Sequence, residues 1–385
     1  MSKYLRLAIL SCALLGASGS ALADVRVRDV ELRELWRRGG DEDDLIFGVI
    51  MQLVEDEAGQ VYLLDTQLNT IHVLGPNGEF LRTVGREGEG PGEFRGSLDM
   101  CLGPRGLLGV VQVFPGKIVQ LTREGDPAPN FVMPEANGTG FSLLYVARGA
   151  SDRIVMAGGV SGQGTTTNYL RAVSATGELL ATYHEESTPM RFGGMEFQEK
   201  THRDFVRRWA LAKDGRVAAA LEFDAYKIQV WKPDGELERV IELPNYPLVK
   251  RSKEDRELIG SLYQGITSWN PNSTYKTAET HMTVTQMSFR DDRSLWVLPA
   301  DGLWTRGEGV FSSYDVFDQA GEHRERVNLR GPGDPVRDAL FFSRDRVYVV
   351  TDLLGAAMGA MGQEDRSAAD AEPVQLIAYE LVEKE

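Results

Sequence analysis

Six polar residues recur at one point of a repeated strand pattern: Gln52, Asp99, Tyr145, Arg208, Gln286 and Asp338. They are found by counting back from the second strand of each repeat, with the hairpin allowed to shorten in the fifth and sixth. Their chain neighbours are mostly apolar, as with Met51 and Leu53, Leu98 and Met100, Leu144 and Val146, or Thr285 and Met287. Alternation of this kind turns one set of side chains toward packed neighbours and the other set away from them. A ring with two carboxylates and Arg208 as its basic member has the chemistry to hold an anion, a cation or a small polar molecule. Polar walls equally suit a passage filled with water.

Other residue types with chemical capacity read differently. Asp65, Asp224, Asp301 and Asp352 each end a second strand. A carboxylate ring at a common mouth would bind a metal. The ordinary role of Asp at such a point is to cap a turn by accepting backbone N–H bonds, and that reading is preferred. The histidines, His72, His184, His202, His281 and His323, show no H-x-x-x-H spacing. His72 lies between Ile71 and Val73, so it is expected to face out of its strand. Cys101, flanked by Met100 and Leu102, reads as a buried, inert thiol. The glycine-rich run Gly85–Phe94 lacks the Gly-Lys-Ser/Thr ending of a phosphate loop and precedes a strand. It is expected to cross between repeats, with Phe94 as a plug and Arg86, Glu87, Glu89 and Glu93 solvated. No G-x-S-x-G nucleophile elbow occurs. Trp209, Trp231 and Trp296 are expected in the core, whereas Trp269 and Trp304 fall in loops and offer a contact surface.

The elements that position these residues are short strands. The clearest unit runs from Phe47 to Gly85: FGVIMQLVED, VYLLD, TIHVLG and EFLRTVG. Pro76-Asn77-Gly78 is a turn, since Asn and Gly tolerate positive φ and Pro pre-sets its own. Units of four strands recur, with comparable turns at Lys232–Gly235 and Gln319–Gly321 between third and fourth strands. A period of four strands favours a propeller over a sandwich or barrel. The sixth unit lacks one strand, and the alternating segment Val25–Trp36 is spare. Pairing the two closes a ring and removes an exposed edge. The expected fold is therefore all-β, a six-bladed β-propeller over residues 24–385 closed by its N-terminal strand. Two insertions interrupt it. Pro247–His281 begins with Ser252-Lys253-Glu254-Asp255, which resembles a capping box, and continues with Leu258, Ile259, Leu262 and Tyr263 at helical spacing. A short helix is expected there, after blade four. Ala356–Glu372 is expected to be a mobile loop.

The stretch Val61–Phe94 resembles an NHL-type repeat of a six-bladed propeller, and some relatives of that fold are termed TolB-like. Asp65, Asn69, Ile71, Val73, Gly78, Phe80, Gly85, Gly88 and the run Gly90–Phe94 carry the resemblance. Thr70 stands where such repeats usually have Arg. The resemblance implies a fold; propellers of this kind serve as lyases, lactonases, scaffolds and binding modules.

The first 23 residues have a short basic region at Lys3 and Arg6, an apolar core from Leu5 to Leu15, and Ala21-Leu22-Ala23 at the end. This reads as a cleavable export signal. The net charge of −15 argues against nucleic acid and anionic membrane as partners. Cys101 is then the only thiol of the exported chain, so no internal disulfide is expected. The expectation is a secreted or periplasmic monomer that binds a protein or small polar ligand through one face near a central channel. No cofactor is required by the sequence, though a divalent metal fits it. The alternative is a metal-dependent hydrolase or lyase with its site at the channel mouth.

Overall fold

The computed structural model describes residues 25–129, 131, 140–150, 152–162, 164–189, 196–201, 208–267, 272, 274–362 and 373–383. The export signal read at 1–23 lies outside these. The described chain is mostly strand, organised in small sheets whose strands follow one another in sequence. This organisation is consistent with a β-propeller.

Sheet one holds Ile50–Glu55, Val61–Asp65, Thr70–Leu74 and Phe80–Val84. Sheet two holds Ser97–Leu102, Leu108–Gln112 and Lys117–Leu121. The fourth strand expected there is reduced to bridges at Pro127 and Phe131, and the rest of that segment lies outside the described residues. Sheet three runs from Phe141–Gly149 through Arg153–Gly162 and Thr165–Ser174 to Leu179–Pro189. Sheet four holds Trp209–Leu211, Val217–Ala219, Lys227–Trp231 and Leu237–Glu242. Sheet five holds Val284–Phe289, Leu295–Pro299, Val310–Phe317 and His323–Arg330. Sheet six begins with Ala339–Phe342, Arg346–Val350 and Gln375–Glu383. Strand β1, Arg26–Gly39, pairs antiparallel with Gln375–Glu383 and parallel with His323–Arg330, joining sheets five and six.

Second strands such as Val61–Asp65 and Leu295–Pro299 are fully buried, because both of their faces pack against neighbouring sheets. An apolar cluster fills the space between each consecutive pair of sheets. Leu64 and Ile71 of sheet one meet Met100, Val110 and Val119 of sheet two, with Phe94 fully buried among them. The last cluster joins Tyr348, Val350 and Leu376 of sheet six to Ile50, Leu53 and Leu63 of sheet one. Burying one such Leu or Ile contributes about 1.5–3 kcal/mol.

Most hairpins between first and second strands, and between third and fourth, share one design. In Asp56–Gln60, Gly75–Glu79, Ala212–Arg216, Lys232–Glu236, Arg290–Ser294 and Asp318–Glu322, the first residue's N–H donates to the fifth residue's carbonyl. The fourth residue's N–H donates back to the first residue's carbonyl. That geometry needs positive φ at the fourth residue, supplied by Gly59, Gly78, Gly215, Gly235 and Gly321, and by Arg293 at φ 68°.

In a four-stranded antiparallel sheet these hairpins lie on one edge. The second-to-third connections and the crossings between sheets lie on the other. The helices lie on that second edge: α1 (Lys253–Thr267) in a crossing, α2 (Ala300–Trp304) and α3 (Leu353–Ala360) between second and third strands. Helix α1 is the one expected from the capping box, and its reciprocal bonds are made: Asp255 N–H to Ser252 Oγ at 3.0 Å and Ser252 N–H to Asp255 Oδ2 at 2.9 Å. The expectation of a loop over Ala356–Glu372 is corrected in part. Ala356–Ala360 completes α3, because Leu353, Leu354, Ala356, Ala357 and Met358 are strong helix formers. Residues 363–372 lie outside the described residues.

Candidate functional site: the edge that carries the insertions

The register of the first strands decides where the six polar residues fall. Gln52, Asp99, Arg208 and Gln286 each stand four residues before the N–H that opens the hairpin, at Asp56, Gly103, Ala212 and Arg290. In sheets three and six that hairpin is one residue shorter, Ala150 to Arg153 and Ser343 to Arg346. The shorter hairpins fall in sheets three and six, not five and six, so the count back to Tyr145 and Asp338 overshoots by one, and Val146 and Ala339 hold the equivalent positions. Tyr145 sits at the bulge one residue before Val146, and Asp338 just before its strand.

Much of this polarity is spent in bridges between first strands. Gln52 donates Nε2–H to Asp99 Oδ1 at 2.5 Å. Asp99 Oδ2 accepts from Ala147 N–H at 3.0 Å and from Arg148 at 2.5 Å, so one buried carboxylate ties sheets one, two and three. Arg208 donates to the Glu222 carbonyl at 3.2 Å, and Gln286 to the Leu340 carbonyl at 3.2 Å. Asp338 accepts the Asp334 and Asp352 amides, both at 2.8 Å. Burial, joined by the Asp334 and Asp352 carboxylates, still pushes its carboxyl above the ordinary value.

The strand-ending acids are not brought together. Asp65, fully buried, accepts N–H bonds from Gly48, Val49, Gln67 and Leu68 at 2.7–3.2 Å. Burial pushes its carboxyl up, but His72 and these amides outweigh it and hold it below the usual carboxylate range. His72 corrects the expectation of an outward face: it is buried, edge-on to Phe47, with Nε2 3.4 Å from Asp65. Polar character misled there, since every side chain of that strand from Ile71 to Leu74 is buried between sheets. Asp224 meets Lys200 at 2.5 Å and Thr280 at 3.0 Å; Asp301 meets Tyr246 at 2.6 Å and Arg326 at 2.8 Å; Asp352 meets Arg337 at 2.6 Å. Among the described residues no three of His, Cys, Asp and Glu gather at metal-binding range. Cys101 is buried as expected, which pushes its thiol up to about 12.

What the sequence did not announce is a clasp built from two crossings. Glu196–Gln198, between sheets three and four, pairs parallel with Thr274–Lys276, between sheets four and five. Buried Arg251 holds buried Glu199 with two bonds, 2.7 and 2.5 Å, and also donates to the Ala278 carbonyl; Ala278 N–H returns to Glu199 at 2.7 Å. Arg251 Nε is buried without a hydrogen-bond partner, and a buried pair of this kind fixes geometry more than it adds stability. The clasp reaches sheet five through His281. This imidazole lies 3.2 Å from Asp255 and stacks on Trp304 with centroids 3.8 Å apart and planes 17° off parallel. Burial pushes His281 below its ordinary value, against the opposing pull of Asp255.

Trp304 ends α2 and borders a cavity of about 440 Å³, walled also by Arg306, Glu308 and the glycine-rich turns at Gly307, Gly309, Gly331 and Gly333. Arg306 donates to the Leu303 carbonyl at 2.7 Å and lies 3.8 Å from Asp334. The cavity was not found from sequence; Trp304, expected in a loop and found at the end of α2, was the one signal pointing to it.

No family model and no curated protein matches the chain. Among solved structures it is similar to virginiamycin B lyase from Staphylococcus aureus, at 11% identity and TM-score 0.41 over 82% of this chain and 81% of that one. It is also similar to a DUF4221-family member from Bacteroides vulgatus, at 10% identity and TM-score 0.47 over 93% and 99%. A calcium-binding regucalcin from Agrobacterium tumefaciens gives 11% identity and TM-score 0.45 over 93% and 97%. Likenesses this distant transfer no substrate or activity.

Proposed function

We propose that this chain is an exported six-bladed β-propeller, a single domain closed by β1, that works as a binding module through the edge carrying its insertions. The observation that supports the binding edge is its asymmetry. Helices α1, α2 and α3, the clasp and the Trp304 cavity all occupy it, while the opposite edge is made of short hairpins, most of one design. Binding residues concentrate on variable loops held by a rigid scaffold. Gln52, Asp99, Arg208 and Gln286 brace the first strands of this scaffold around a channel, and the ligand, a small polar molecule or a protein segment, sits above them. The NHL-type signature belongs to the same proposal. Export rests on the sequence of residues 1–23; among the described residues no helix is long and apolar enough to cross a membrane.

Two experiments test this reading. Removing residues 24–38 should abolish cooperative unfolding in a urea titration; a truncated chain as stable as the parent would refute closure by β1. A thermal-shift screen with polar metabolites should give hits that are lost in Trp304→Ala and retained in Arg239→Ala on the hairpin edge. The reverse pattern would sink the assignment of the edge. About one tightly held metal per chain after dialysis would instead move the reading to a metal-dependent hydrolase or lyase.

A further inference from the structure

We infer that the cavity beside Trp304 is a site for a pyranose sugar, with the indole as its stacking platform. This rests on the reading of the insertion-bearing edge as the binding edge. Trp304 is oriented before any ligand arrives. His281 covers one ring face at 3.8 Å and is itself held by Asp255, so Trp304, which lines the cavity, is held in a fixed pose. A platform already ordered costs a ligand little entropy, and an indole offers a broad apolar face to the C–H side of a sugar ring.

The wall chemistry narrows the ligand class. Arg306 supplies donors only, and the Glu308 carboxylate supplies acceptors only. Asp334, near Arg306, adds more acceptor capacity. A phosphate asks for donors throughout, and a bare cation asks for acceptors throughout. A mixed wall beside an aromatic face matches hydroxyl groups, each of which donates and accepts. The volume, about 440 Å³, lies in the range of small-molecule sites.

Gly307 adds an independent observation. Its φ is not in the positive region, and a Cβ built on it would meet nothing nearer than Val310 Cγ2 at 4.0 Å. The fold therefore does not require glycine at this point in the wall. The open space beside its backbone leaves room for close approach of a ligand.

The test titrates the full chain with D-glucose, D-galactose and D-glucuronate, reading heat of binding and tryptophan emission. At least one sugar should bind with Kd of about 1 mM or tighter. Trp304→Ala and, separately, Gly307→Val should each weaken it by about tenfold or more. Both variants should keep the parent's far-ultraviolet spectrum, and Gly307→Val its melting midpoint, whereas Trp304→Ala, which removes the indole stacked on His281, should lower the midpoint without loss of the fold. Glucuronate binding lost in Arg306→Gln would identify an acidic sugar, and glucose or galactose binding indifferent to Arg306→Gln a neutral one; either supports the site. Absence of binding by all three sugars, or binding that survives both Trp304→Ala and Gly307→Val, overturns it. Adenosine serves as a stacking probe without a pyranose. If adenosine alone binds and depends on Trp304, the sugar assignment fails and the binding edge stands. If sugar binding survives both variants and is lost in Arg239→Ala, the edge itself is wrong.

Discussion

The two edges of the sheets are built by opposite means. On the hairpin edge most turns are stabilised within five residues of chain, by two backbone bonds and one left-handed residue, and those of Ala150–Arg153 and Ser343–Arg346 are shorter still. On the other edge the described connections carry the three helices and the clasp. The clasp joins Glu199, Arg251 and Ala278 across as many as 79 residues, and His281 carries it onto Trp304. Local chemistry gives identical turns wherever the same residues recur. A surface assembled from distant segments differs at every crossing, and that freedom is what a recognition surface uses.

The comparison breaks most visibly if the clasp is opened. Arg251→Met leaves Glu199 buried without its partner, which costs about 3–5 kcal/mol. The expected loss is regional: amide exchange should rise over Thr274–Lys276 and Arg251 while the hairpin edge stays protected. Equal loss of protection at Lys232–Glu236 would show that the clasp is not a separate layer of stability.

Next is the hairpin edge. Gly78 has φ 84°, and a Cβ there would fall 2.7 Å from the Trp36 ring. Gly78→Ala should destabilise the whole fold by about 2 kcal/mol, through left-handed strain and the clash. The drop should appear in the global urea midpoint, with no selective opening of the clasp.

A pH titration sharpens the contrast further. Because burial holds the folded His281 below the ordinary 6.5, the unfolded clasp binds a proton more readily. Its stabilising contribution is complete above about pH 6.5 and is lost as pH falls through the folded value. Arg251 opposes the charged imidazole, whereas Asp255 and Glu199 favour it. Asp255 itself is held below 3.8, where burial is outweighed by its bonds to Ser252 and His281, so its own loss comes in a separate, more acidic step. Exchange at Thr274–Lys276 should quicken between pH 7.5 and 5.5 in the parent and stay level in His281→Gln. A parent whose clasp ignores this pH range would remove His281 as its latch.

The smallest effect belongs to Arg293, which occupies a left-handed position that glycine fills in the matching turns. Arg293→Gly should relieve that strain and stabilise the protein by up to about 1 kcal/mol, visible as a small rise in urea midpoint. No change would mean that the Arg293 side chain already compensates.

Much of this fold was legible because it is local. Strand alternation, the glycine-bearing turns and the capping box at Ser252–Asp255 each act over a few residues, so the sequence by itself determined the strands, their grouping, the pairing of β1 beside Gln375–Glu383 and helix α1. The ring positions were legible where hairpin length was constant, at Gln52, Asp99, Arg208 and Gln286, and slipped by one residue at Tyr145 and Asp338, where it was not. Tertiary structure alone decided the rest. Whether His72 turned inward depended on a neighbouring Asp65 and Phe47, and whether Asp99 was a site or a brace depended on Arg148 in another sheet. The clasp, the His281–Trp304 stack and the cavity come from residues brought together across long separations. No spacing in the chain encodes such meetings, because the sheets that pack between the segments set their distance.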